Sequence, residues 1–213
     1  MLYTQQVSFQ YPKGPQWKFP DLDCPAGDTL LITGPSGCGK TTLLHLLAGI
    51  LRPAKGSIRI DGTAIESLSP AGADRFRGAN IGLIYQRPHF VASLSVMDNL
   101  LLPLYFGGKS GSKKMVQQLA EQLSVAHTLH QHPYQLSSGE QQRISIARAL
   151  VHAPKVVLAD EPTSALDDIN CAAVTDLLRA QAEERQAALI IVTHDSRLKS
   201  VVERQVALTP IRS

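Results

Sequence analysis

The run Gly34-Pro35-Ser36-Gly37-Cys38-Gly39-Lys40-Thr41, continued by Thr42, follows the apolar stretch Leu30-Leu31-Ile32-Thr33 and opens a helical stripe of Leu43, Leu44, Leu46, Leu47 and Ile50. It fits the pattern G-x-x-x-x-G-K-[ST] in the strand-to-helix context which that pattern needs. Glycines let the backbone wrap a chain of phosphates with its amide N–H groups turned inward. The helix N-terminus adds a field that favours anions. Lys40 brings a positive charge to the β- and γ-phosphates, and the Thr41 hydroxyl is a ligand for Mg²⁺. Residues 34–42 are thus the nucleotide-binding candidates, with ATP and Mg²⁺ as the ligands. Cys38 lies inside this loop, near a helix N-terminus and Lys40, both of which favour thiolate. Alkylation is therefore expected to inhibit, and ATP to protect.

A second constellation is Val156-Val157-Leu158-Ala159-Asp160-Glu161, an apolar strand that delivers adjacent carboxylates at its C-terminal end, where α/β sheets bind ligands. Neighbours on a strand point to opposite sides, so the pair can divide its work. Asp160 is expected to hold Mg²⁺ through water and Glu161 to polarise the attacking water. A third segment, Leu136-Ser137-Ser138-Gly139-Glu140-Gln141-Gln142-Arg143, places a Ser/Gly turn before a helix. Ser137 and Glu140 have capping-box spacing, and the same free amides make an anion site.

The elements that must position these groups alternate. Residues 2–9 and 16–19 read as an antiparallel hairpin around Tyr11-Pro12-Lys13-Gly14-Pro15. Residues 56–62 read as a strand closed by Asp61-Gly62. Ile81 to Tyr85, 156–159, 188–192 and 204–208 read as further strands, with helices over 40–51, 138–152 and 168–185. Between Pro88 and about Gln135 the strand pattern stops, and helical stretches near 95–105 and 112–124 flank the linker Gly107-Gly108-Lys109-Ser110-Gly111-Ser112. This βαβ alternation indicates an α/β fold with a parallel sheet and a helical insertion.

The bulk numbers narrow the setting. The 213 residues are 44% hydrophobic with a net charge of +3, enough for a substantial core and without the basic arm or face of a nucleic-acid binder. Three scattered cysteines suit neither a disulfide framework nor a CxxC metal site, which points to a reducing, cytosolic compartment. Met1-Leu2-Tyr3-Thr4-Gln5-Gln6 lacks the basic and apolar character of a signal peptide. No window of about 18 apolar residues exists to cross a membrane. Any membrane part must then come from another chain.

The order of the phosphate loop, Gln86, Leu136-Ser137-Ser138-Gly139-Glu140, Asp160-Glu161, Ser164-Ala165-Leu166-Asp167 and His194 resembles the ATP-binding-cassette ATPases over essentially the whole chain. The resemblance implies a P-loop NTPase with a mixed, mainly parallel core sheet, an N-terminal antiparallel β subdomain and a helical subdomain. It implies one domain over 1–213, with residues 88–153 inserted in a RecA-like core. It also places roles: Tyr11 stacks on adenine, with Phe9 and Trp17 as competitors, and Gln86 reaches Mg²⁺ and the attacking water. His194 meets the γ-phosphate. Asp167 lies in a loop that crosses to a second subunit, and Ser137, Ser138, Gly139 and Glu140 complete the partner's site in trans. Glu161, His194, Gln86 and Lys40 form the catalytic set, and Thr41, Gln86 and Asp160 the metal set.

The commonest family signature has Gly and Gln where this chain has Ser138 and Glu140, so activity is expected to survive at an altered rate. Arg75 to Gln86 and Ser95 to Leu104 are similar to the branch that serves bacterial lipoprotein-releasing, macrolide-efflux and cell-division complexes. The implied partners are a second ATP-binding subunit in a homodimer and integral membrane permease subunits docking near Gln86 and the helical part. The implied site of action is cytoplasmic, peripheral on the inner face of the membrane. Two other readings remain at this point: an ATP-driven regulator of a cell-envelope hydrolase, and a cassette ATPase acting on nucleic acid or ribosomes.

Overall fold

The computed structural model describes residues 1–164 and 166–209. Ala165 of the Ser164–Asp167 segment and the end of the 1–213 domain reading lie outside the described residues. In chain order the strands and helices are β1 (Leu2–Gln10), β2 (Gln16–Lys18), β3 (Asp23–Cys24), β4 (Thr29–Thr33), α1 (Lys40–Leu47), β5 (Lys55–Ile60), β6 (Thr63–Ala64), α2 (Pro70–Asn80), β7 (Ile81–Ile84), α3 (Val96–Phe106), α4 (Lys113–Gln122), α5 (Ser138–Leu150), β8 (Val156–Asp160), α6 (Asp168–Glu184), β9 (Ala188–Thr193) and β10 (Gln205–Ala207).

These form two sheets. The first, ordered β2-β1-β5-β6 with β3 also on β1, is antiparallel. The second, ordered β10-β4-β9-β8-β7, is parallel at every described pairing. The antiparallel component expected from the N-terminal residues therefore has a sheet of its own.

The parallel strands read as unbroken apolar runs because both of their faces are covered. Leu30, Ile32, Leu158, Ile190 and Val192 pack with α1 and the antiparallel strands, whereas Leu31, Val157, Leu189 and Ile191 pack with α3, α4 and α5. The alternation is the period of two of a strand. One position shows how close the second layer lies. A Cβ on Gly82 of β7 would stand 2.2 Å from the carbonyl oxygen of Ala149 on α5, so only glycine fits.

Most boundaries lie where the sequence pattern sets them, with two instructive differences. Helix α1 stops at Leu47 instead of running to Leu51, because the chain turns left-handed at Gly49 (φ 64°). Helix α2 has no counterpart in the sequence reading. None of its residues is buried, so it offers no apolar stripe. Its signal is local: Ser69 caps it by accepting from Gly72 N, and Pro70 occupies the first turn.

Candidate nucleotide site

Strand β4 ends directly in the 34–39 loop, and α1 begins at Lys40. Gly37 and Gly39 both have positive φ, 75° and 92°. A Cβ on Gly39 would lie 3.0 Å from the Trp17 ring, while one on Gly37 would meet nothing within 4 Å. The loop is thus open over Gly37 and packed against Trp17 at Gly39. The Lys40 ammonium donates to the carbonyls of Gly34 and Pro35 at 2.9 and 3.0 Å. Of its three N–H groups, one is left for an anion in front of the loop.

This loop floors a cavity of about 590 Å³ lined by Trp17, Ser36, Gly37, Gly39, Lys40, Thr41, Thr42, Gln86, Asp160, Glu161 and His194. Parallel pairing brings these groups together. Because β8 lies beside β9, Asp160 is opposite Val192, and the residues just beyond both strand ends come into contact. The Thr41 hydroxyl donates to Asp160 Oδ2 at 3.2 Å. Burial pushes the Asp160 carboxyl above the usual carboxylate range, with the Thr41 hydrogen bond opposing that rise. A hydroxyl and a half-buried carboxylate side by side are a hard-oxygen donor pair, which suits Mg²⁺ held mainly by phosphates and water. Among the described residues, no cluster of three or more His, Cys, Asp or Glu could hold a metal by itself.

Glu161 is the most constrained side chain of the site. Its backbone is left-handed (φ 48°), a conformation that costs a non-glycine residue energy and that the surroundings must enforce. Thr193 Oγ1 donates to Oε2 at 2.6 Å, and His194 N donates to Oε1 at 3.1 Å. The His194 Nδ1 lies 2.7 Å from Oε1. Against a carboxylate that accepts, Nδ1 is the donor, which leaves Nε2 unengaged on a side chain that is 66% exposed. Gln86 reaches the same region, donating to Ser164 Oγ at 3.1 Å, and Ser164 in turn donates to the Glu161 carbonyl.

The sequence-derived residues divide into those this chain gathers and those it does not. Residues 36, 37 and 39–42 join Gln86, Asp160, Glu161 and His194 around the cavity. Tyr11 stands at its edge with its hydroxyl 3.4 Å from Thr42 Oγ1, packed edge-on against Phe9. Of the three aromatics, Trp17 is the one that lines the cavity. Ser137, Ser138, Gly139, Glu140 and Asp167 do not line it. Ser138 and Gly139 open α5, and the other three cap helices. Ser137 accepts from Glu140 N, Glu140 accepts from Ser137 N at 2.8 Å, and Asp167 caps α6 through Asn170 N.

Cys38 departs from expectation. It is only 2% exposed, with its Sγ packed against Gly34, so slow alkylation is the expectation that the fold supports. Thr193 and Ser164 gain a place in the site that the sequence does not assign them. The only trace of Thr193 in the sequence is that it immediately precedes His194.

Comparison with known proteins identifies the family and the fold. The family profile described as "ABC transporter" matches residues 18–164. An "Uncharacterized ABC transporter ATP-binding protein" of Mycobacterium tuberculosis strain H37Rv is 39% identical over 192 residues, which is 89% of this chain but 58% of that protein's length. The lipoprotein-releasing system ATP-binding protein LolD of Shewanella denitrificans is 39% identical over 182 residues, 84% of this chain and 78% of LolD. A dimeric structure of a post-hydrolysis state of the ATP-binding cassette MJ0796 bound to ADP and Pi superposes with a TM-score of 0.87 at 30% identity, covering 98% of this chain and 94% of that one.

Proposed function

The chain belongs to the ABC transporter family as an ATP-binding subunit, and from that premise we propose that it hydrolyses Mg-ATP as half of a dimer and powers a membrane partner. The observation that carries this reading is the Glu161 carboxylate, locked by Thr193, His194 N and His194 Nδ1 at the rim of a cavity floored by the phosphate loop. The work such a site can do is positioning and electrostatics. The loop amides, the α1 N-terminus and Lys40 hold the phosphate chain. Thr41 and Asp160 are the residues that would hold Mg²⁺, which supplies charge neutralisation when bound. Glu161 takes the proton of the attacking water, and His194 Nε2 faces the terminal phosphoryl group. Gln86 orients the water from the side of the helical segment.

Ser137–Glu140 and Asp167 stand outside their own chain's cavity. This supports a homodimer in which a second copy brings its α5 N-terminus over the phosphates, closing around two Mg-ATP. No helix of the described residues is long and apolar enough to cross a membrane. On this reading integral permease subunits dock near Gln86 and the helical part over 88–153. The chain then works in the cytoplasm, on the inner face of the membrane. Similarity to LolD makes export or mechanotransmission of the lipoprotein-releasing, macrolide-efflux or cell-division type the specific form we favour. The direct test is phosphate release from Mg-ATP by the purified chain, alone and with co-expressed permease. Absence of Mg-ATP binding in calorimetry would overturn the proposal.

A further inference from the structure

The Arg197 guanidinium, just past the His194 turn, has every N–H engaged. Nε donates to both Asp195 oxygens at 2.9 and 3.1 Å, and one Nη2 hydrogen returns to Asp195 Oδ2 at 2.7 Å. The other Nη2 hydrogen goes to the Thr163 carbonyl at 3.3 Å. Nη1 donates to the Leu166 carbonyl at 3.1 Å and to Asp168 Oδ1 at 2.7 Å. Thr163, fully buried, adds a hydroxyl bond to Asp195 at 3.1 Å. A planar fork with five donors can join two segments in this way, whereas an ammonium cannot.

We propose that Arg197 is a positioning residue that clamps the 163–168 loop to the 193–195 turn, and so fixes Glu161 against His194. The loop leaves Glu161 directly, and the turn supplies the hydroxyl, amide and ring that hold the Glu161 carboxylate. Sliding one segment past the other would therefore move the carboxylate. The loop also carries Asp167 to the start of α6, so the clamp is the link through which its position reaches the Glu161–His194 pair. The catalytic consequence rests on the hydrolytic reading above, but the clamp itself does not.

The test compares wild type with Arg197→Lys, and with Asp168→Asn, which takes the charge from one strand of the clamp and keeps the guanidinium. Hydrogen exchange followed by mass spectrometry should show faster exchange confined to 163–168 and 193–197 in Arg197→Lys. Turnover should fall by about ten- to hundredfold, as expected for a misplaced catalytic group, with the KM for ATP within about twofold and the chain still folded by circular dichroism. Asp168→Asn should show a smaller loss of the same kind. Unaltered exchange in Arg197→Lys, or kcat within twofold of wild type, overturns the proposal. If wild type itself does not turn over Mg-ATP, the hydrolytic reading fails and the exchange result alone decides the clamp.

Discussion

His194 Nδ1 and Glu161 Oε1 stand 2.7 Å apart although 33 positions separate them in the chain. The contact exists because β8 and β9 are parallel neighbours in register, so their C-terminal ends emerge together. It fixes which histidine nitrogen is free and holds the carboxylate at one angle. Replacing Glu161 by Gln keeps the size and most of the hydrogen bonds but removes the base. Turnover should fall by about 10²–10⁴, while Mg-ATP affinity measured by calorimetry stays within a few-fold. Turnover at the wild-type rate would mean that another group takes the proton.

The three cysteines, Cys24, Cys38 and Cys171, are all buried and unpaired. Native protein should therefore react slowly with a maleimide at each, and urea should expose all three. ATP should give no protection beyond its general stabilisation of the fold. Rapid labelling of Cys38 in native protein, blocked by ATP, would instead show that the phosphate loop opens on its own.

Those two cases show what the residue order conveys and what it does not. The phosphate loop, the Asp160-Glu161 pair and the strand carrying His194 are legible because their pattern is local: glycine spacing, an apolar run, a motif. The facing of Cys38 is not, since it depends on a buried cluster that gathers residues as distant in sequence as Leu2 and Leu208. The same holds for Trp17, which reaches the cavity only through its pairing opposite Phe9. Helix α2 escaped because its stability comes from a cap and from tertiary packing of half-exposed side chains, not from an apolar stripe. Arg197 reads as an ordinary surface charge until the loop and the turn are folded against each other.

Asn99, completely buried on α3, accepts from Val91 N at 2.9 Å and donates to the carbonyls of Val91, Leu94 and Ser95. It shapes the 91–95 loop that follows the Gln86 segment. Truncation to alanine takes the side-chain partner from the half-buried Val91 amide and Leu94 carbonyl, so Asn99→Ala should lose about 1–3 kcal/mol of unfolding free energy in urea. A loss under about 0.5 kcal/mol, the scatter of surface changes, would show that the loop is held by other means.

Glu140 gives a pH dependence whose sign follows from its surroundings. The Ser137 side-chain hydrogen bond first, then His127 at 2.9 Å and the Ser137 amide, hold its carboxyl down at about 2, against an ordinary value of 4.5. The folded state thus prefers the ionised form. That contribution to stability is fully present above about pH 4.5 and is lost as pH falls toward 2. Glu140→Gln keeps an acceptor for Ser137 N but has nothing to titrate. The difference in urea midpoint between wild type and Glu140→Gln should therefore favour wild type at pH 6 and shrink steadily from pH 4.5 downward. A difference that stays constant across that range would mean that Glu140 contributes through its capping geometry alone, with its charge idle.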